Sequence, residues 1–142
     1  MKDFPFSFQK VGLDIAKIFG NNYLIIIHYY SKWLEVLKLK DKSSQSVIEL
    51  LKVVFSRFGI PKQVVADNNP CGSQDLITFA TQWQFEVILS SPYYAKSNGL
   101  ARKAVGIAKG MITKARYEKK DFNLFLLNYR NTPVAGLEYS SA

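Results

Sequence analysis

The spacing of apolar residues changes period several times along this chain, and each change marks an element. Residues 8–16 mix polar and apolar positions as a first strand would, with Asp14 near its end. Gly20-Asn21-Asn22 gives a hairpin turn signal. Residues 23–30 form a β-branched and aromatic run that predicts a strand buried on both faces. Residues 33–39 alternate as Trp-Leu-Glu-Val-Leu-Lys-Leu, a third strand more exposed on one face, and the short links predict an antiparallel meander. The period then becomes helical. Ser43 or Ser44 caps a helix carrying Val47, Leu50, Leu51, Val54, Phe55 and Phe58 on one stripe, which Gly59 and Pro61 stop. Residues 63–66 make a short strand delivering Asp67 to its end, and Asn68-Asn69-Pro70 breaks it. A helix over about 74–83 and a strand over 85–89 follow. After a loop at 90–97, a long helix capped at Ser97 or Asn98 runs to about Tyr117. Asp121 caps a last helix carrying Leu124, Leu127 and Tyr129, stopped by Asn131-Thr132-Pro133.

This order predicts an α/β domain. At 142 residues and 48% apolar content the chain fits one domain, 1–142, with a sizeable core and no repeat or linker. The net charge of +8 and pI of about 9.6 point to a polyanionic partner, although a solvated lysine-rich face would give the same numbers. A single cysteine, Cys71, excludes an internal disulfide, and with one histidine, His28, no zinc cluster can be built. Any metal must therefore be held by carboxylates. The apolar run of residues 23–27 is too short to span a bilayer, and nothing at Met1 resembles a signal peptide, so an intracellular domain is expected, with a nuclear site plausible.

Asp14 and Asp67 are the carboxylates with chemical promise, each at the end of a predicted buried strand. Adjacent strand ends would bring them within reach of one divalent ion, Mg²⁺ or Mn²⁺. Either could equally cap a turn. The stretch Ser90-Ser91-Pro92-Tyr93-Tyr94-Ala95-Lys96-Ser97-Asn98-Gly99 interleaves aromatic, basic and small polar residues before the long helix. Arg102, Lys103, Lys109, Lys114, Arg116, Lys119 and Lys120 make that helix and its end basic, with 102, 109, 116 and 120 near heptad spacing. Leu100, Ala104, Ile107, Ala108, Met111 and Ala115 would face inward. Tyr93 and Tyr94 could stack on bases or anchor the loop.

Four segments resemble one family. Val11-Gly12-Leu13-Asp14 with Asn22-Tyr23-Leu24-Ile25-Ile26-Ile27-His28-Tyr29-Tyr30-Ser31-Lys32-Trp33 is similar to the first catalytic segment of retroviral and gypsy-type retrotransposon integrases. Phe58-Gly59-Ile60-Pro61 with Val65-Ala66-Asp67-Asn68-Asn69-Pro70 resembles the second. Ser90-Ser91-Pro92-Tyr93-Tyr94, Ser97-Asn98-Gly99 and Ala104-Val105 resemble the third, and Asn128-Tyr129-Arg130-Asn131-Thr132-Pro133 a further gypsy-type segment. The resemblance implies a ribonuclease-H-like catalytic core: a five-stranded mixed sheet of three meander strands, then alternating helices and strands, flanked by helices. It implies two Asp and one Glu holding Mg²⁺ or Mn²⁺ for 3′-end processing and strand transfer, a DNA partner along the long helix, and a homodimer. No membrane or small-molecule substrate is expected. The two Asp carry over to Asp14 and Asp67; the third position is Arg102.

That substitution swings the local charge by two units. At an effective dielectric near 20, a cation about 4 Å from a divalent ion is repelled by roughly 8 kcal/mol before relaxation. Neither Glu86 nor Glu118 reaches to stand in: Glu86 lies on the far side of the loop, and Glu118 is about 24 Å further along the helix at 1.5 Å per residue. Arg102 can swing away or pair with Asp14 or Asp67. Other departures are Asn69 where the family has Gly, Cys71-Gly72 for Gln-Phe, Ala95-Lys96 for Pro-Gln, and His28 where these elements carry Asp. The expectation is a core that binds DNA through Tyr93, Tyr94, Lys96, Asn98, Arg102, Lys103, Lys109 and Arg116, with weakened metal binding and defective catalysis. The alternatives are an active transferase with an atypical metal site, and a non-catalytic dimerisation or scaffold module. The family's zinc-binding amino-terminal and DNA-binding carboxy-terminal modules are not in this sequence, and the ending at Ser141-Ala142 is that expected of a fragment.

Overall fold

The computed structural model of the chain describes residues 9–67, 71–90 and 98–132. The chain begins with three strands, β1 (Lys10–Ile18), β2 (Asn21–His28) and β3 (Leu34–Leu39). Then come α1 (Ser44–Phe58), β4 (Gln63–Asp67), α2 (Gln74–Trp83), β5 (Glu86–Ser90), α3 (Gly99–Glu118) and α4 (Phe122–Asn131). The five strands form one sheet in the order β3-β2-β1-β4-β5. β1, β2 and β3 are antiparallel neighbours, whereas β4 runs parallel to both β1 and β5. This is the expected mixed sheet.

β2 is buried on both faces because its side chains alternate between two cores. Leu24 and Ile26 join Val11, Leu13, Val64 and Ala66 beneath α1 and α2, where Phe55, Phe79, Trp83 and Phe85 pack ring on ring. Ile25 and Ile27 face the other way, onto Leu100, Ala101, Ala104 and Ala108 of α3 and Leu126 of α4. Each fully buried aliphatic side chain contributes about 1.5–3 kcal/mol. The alanines on the inner face of α3 let the helix lie close to the sheet. The approach is tightest at Gly12, where an added Cβ would meet Ala101 Cβ and Ile27 Cγ2, each at 3.2 Å. An alanine there would require Ala101, Ile27 or Tyr29 to give by a few tenths of an ångström.

Two caps match the sequence signals, Ser43 accepting from Ser46 N and Asp121 from Asn123 N, and Ser73, which the sequence reading did not single out, accepts from Leu76 N. α3 is the exception, since its N-cap Asn98 makes no side-chain cap bond. The hairpin signal is displaced. Asn21 and Asn22 pair across to Ile18 and Lys17, and the turn is Phe19-Gly20, with φ of 50° and 80°. Both residues are left-handed, the pattern of a two-residue type I′ turn. β1 therefore extends to Ile18, and Asp14 sits inside the strand and not at its end. On α4 the buried residue is Leu126, with Phe122 and Tyr129 packed behind it; Leu124 and Leu127 are exposed. The strand start at Phe8, the break at Asn68-Asn69-Pro70, the loop residues 91–97 with the alternative cap Ser97, and the stop at Pro133 lie outside the described residues. Among the described residues no helix is long and apolar enough to cross a membrane.

Candidate active site and basic helix face

The parallel register of β1 and β4 ends at Leu13 opposite Ala66, so Asp14 and Asp67 follow side by side on neighbouring strands. Leu13 and Ala66 belong to the core under α1 and α2, and by strand alternation Asp14 and Asp67 project to the α3 side. Asp14 Oδ1 accepts from Ile15 N at 2.8 Å. Its carboxyl is nevertheless held above the usual carboxylate range, first by burial and further by the charge of Asp67; the Ile15 bond and Arg102 pull the other way. Asp67 Oδ1 accepts from Ser90 Oγ, at the end of β5, at 2.6 Å.

Arg102, in the first turn of α3, brings its guanidinium to 3.9 Å from Asp67 Oδ1, with both side chains about half exposed. Two contacts aim it there. One is the Gly12–Ala101 approach. The other is Asn98, whose Nδ2 donates to Leu13 O at 3.3 Å, pinning the start of α3 beside Asp14. Asn98 is 0% exposed, which corrects its expected place among residues touching nucleic acid: its amide is turned into the sheet. Cys71 lies beneath the carboxylates. Burial, followed by the charges of Asp67 and Asp14, pushes its thiol up to about 12, so it stays protonated and is a poor ligand.

Away from the site, Lys103, Lys109, Lys114 and Arg116 are exposed on α3, opposite the buried Leu100, Ala101, Ala104, Ala108, Ile112 and Ala115. Gly106 and Gly110 share the open face, and an added Cβ would meet nothing within 4 Å at either. Arg116 lies over the Phe19 ring at 4.4 Å. Asp14, Asp67 and Arg102 are thus brought together, and Lys109 and Arg116 continue along the edge of the helix that carries Arg102, whereas Lys103 lies about 120° round the helix from Lys109. Tyr93, Tyr94 and Lys96 lie outside the described residues. Sequence reasoning missed Ser90 as the partner of Asp67 and Phe19 as the partner of Arg116. Ser90 carried a usable signal, since β5 is the parallel neighbour of β4 and ends level with it.

A five-stranded mixed sheet of this order flanked by helices is a ribonuclease-H-like fold. The integrase core domain family model matches residues 12–95. The uncharacterized protein K02A2.6 of Caenorhabditis elegans is 31% identical over 141 residues, covering 94% of this chain and 11% of that protein. The Gag-Pol polyprotein of Koala retrovirus is 33% identical over 124 residues, covering 81% of this chain and 7% of the polyprotein. Among solved structures, the simian T-cell lymphotropic virus intasome in complex with PP2A regulatory subunit B56 gamma superimposes with a TM-score of 0.70 at 19% identity, covering 99% of this chain and 49% of that one. The catalytic core domain of BIV integrase gives 0.69 at 13% identity, covering 83% and 78%. The chain belongs to the integrase core domain family, of retroviral and retrotransposon type. It spans about a tenth or less of the length of these two polyprotein-sized relatives.

Integrase cores use divalent metal ions. Among the described residues no cluster of three or more His, Cys, Asp or Glu side chains is placed to hold one. Asp14 and Asp67 supply two carboxylates, and the neighbouring cation is an arginine paired with one of them. The described residues do not fit a two-ion centre.

Proposed function

We propose that this chain is an integrase core that binds DNA along α3 and has lost 3′-end processing and strand transfer. The observation that carries this reading is the Arg102 guanidinium 3.9 Å from Asp67 Oδ1, beside the pair where divalent ions would assemble. A guanidinium cannot be deprotonated at working pH, so it stays a competitor for that ground. Asp14 and Asp67 keep the family's first two positions as residual ligands for Mg²⁺ or Mn²⁺, with binding weakened by Arg102. Lys103, Lys109 and Arg116 supply phosphate contacts, and Tyr93, Tyr94 and Lys96 belong to the same proposed surface. The whole chain acts as one domain, it works where chromosomal DNA lies, and it pairs with a second copy, as integrases oligomerise.

Two measurements test this. Calorimetry with Mn²⁺ should give no tight binding, and a tight isotherm abolished by Asp14→Asn or Asp67→Asn would overturn the reading. Affinity for duplex DNA should fall steeply with salt, with Lys109→Glu and Arg116→Glu each reducing the slope by about 1 or slightly more. A salt-independent or absent interaction would favour the scaffold role instead.

A further inference from the structure

The β1–β2 turn is built from an unusual residue. Type I′ positions are ordinarily filled by Asn, Asp or Gly, because both need positive φ, yet the first here is Phe19 at φ 50°. A bulky residue in that conformation is strained. Its ring does not repay the strain by entering the core, since Phe19 is 50% exposed. What it does have is a cation: the Arg116 guanidinium sits 4.4 Å from the ring centroid. Strain held at an exposed aromatic is the pattern that points to a ligand.

The approach to Phe19 is electropositive. Arg102, Lys109 and Arg116 recur every seven residues, 20° short of two full turns, so they follow one edge of α3 for about 21 Å at 1.5 Å per residue. α3 carries no acidic residue before Glu118. β4 ends at Asp67, so β1 continues from Ile15 to Ile18 with no β4 partner beside it. The track begins at the Asp14–Asp67 pair and ends at the Phe19 ring.

We propose that Phe19, braced by Arg116, is a stacking platform for an unpaired base of DNA whose phosphates follow Arg102, Lys109 and Arg116. A base inside a duplex hides both faces in its stack, so the ligand is a single-stranded extension or a frayed end. The inference rests on the DNA-binding reading above and adds to it a preference for unpaired ends. Aromatic stacking is tolerant of base identity, so no sequence preference is expected.

The test compares a blunt duplex with the same duplex bearing a single-stranded extension that contains 2-aminopurine. The parent chain should bind the extended duplex about tenfold more tightly and quench the probe. Phe19→Asn, which suits the turn, should erase that preference and the quenching while leaving blunt-duplex affinity and the melting temperature undiminished. Phe19→Trp should retain both. Equal affinity of the parent for the two DNAs, or a preference surviving Phe19→Asn, overturns the proposal while leaving the DNA-binding reading standing. A Phe19→Asn variant that melts lower and loses both affinities alike makes the ring a structural tie and also overturns it. Failure of the parent to bind even the blunt duplex removes the DNA-binding reading, and the platform with it.

Discussion

Two arginines reach from the last two helices to carboxylates on the sheet, and they behave as opposites. Arg130, on α4, meets Glu35 of β3 at 3.3 Å with side chains only 19% and 8% exposed. Its Nε and Nη2 also donate to Leu34 O, its guanidinium lies 4.2 Å from the centre of the Trp33 ring, and Trp33 Nε1 donates to the same Glu35 oxygen. Every group in that cluster has its geometry fixed by another. Arg102 meets Asp67 at 3.9 Å, with 46% and 41% exposure. The first arginine is part of the fold. The second forms a half-exposed pair beside the proposed site, and it contributes little to the fold.

That contrast predicts unequal responses. Arg130→Ala should lower stability by about 3–5 kcal/mol in chemical denaturation, because it leaves Glu35 buried without its partner. A double replacement of Arg130 and Glu35 by methionine should recover much of the loss; a double variant no better than Arg130→Ala would mean that the clasp contributes through Trp33 and Leu34 instead.

The interior also contains His28, 4% exposed, whose Nδ1 lies 2.5 Å from Ser31 Oγ. Burial, followed by the charge of Lys32, lowers its pKa from 6.5 to about 4. The unfolded chain takes up the proton first, so stability is complete above about pH 6.5 and is lost as pH falls toward 4. The loss totals about 3 kcal/mol at 1.36 kcal/mol per pKa unit. Urea melts of the parent and His28→Asn across that range check it, the variant showing the flatter profile.

On the open face of α3, Gly106→Ala and Gly110→Ala should each raise stability by about 1 kcal/mol, since helix propensity is gained and nothing obstructs the methyl group. Thermal melts read this directly. Arg102→Ala should be smallest of all, within about 0.5 kcal/mol of the parent, as for other exposed ion pairs. A loss comparable to that of Arg130→Ala would erase the distinction between the two arginines.

Much of this was legible in the chain. The β2 run of Leu24 to Ile27, the Ser43 and Asp121 caps and the strand carrying Asp67 to its end are local signals, and local physics settles them. The Asp14–Asp67 pairing followed from two strands and the resemblance of their segments. What escaped depends on contacts distant in sequence. Glu35 and Arg130 lie 95 positions apart, and nothing in Trp-Leu-Glu-Val announces that the glutamate is buried. Asn98 looked like a helix cap and a DNA contact because both roles suit its chemistry, whereas tertiary packing turned its amide to Leu13. Asn21-Asn22 looked like a turn by composition, and pairing across to β1 overrode that preference while strain was accepted at Phe19. Arg102 was the converse case. Its identity is plain in the sequence, and the structure added only where it points.

The most direct test of the account is Mn²⁺-dependent strand transfer by the parent chain and by Arg102→Glu, side by side on the same DNA, with melting curves to show both folded. The account predicts no product from the parent and measurable product from the variant, which restores a third carboxylate beside Asp14 and Asp67. Product formed equally by both would contradict it, because Arg102 would then be no obstacle to the chemistry.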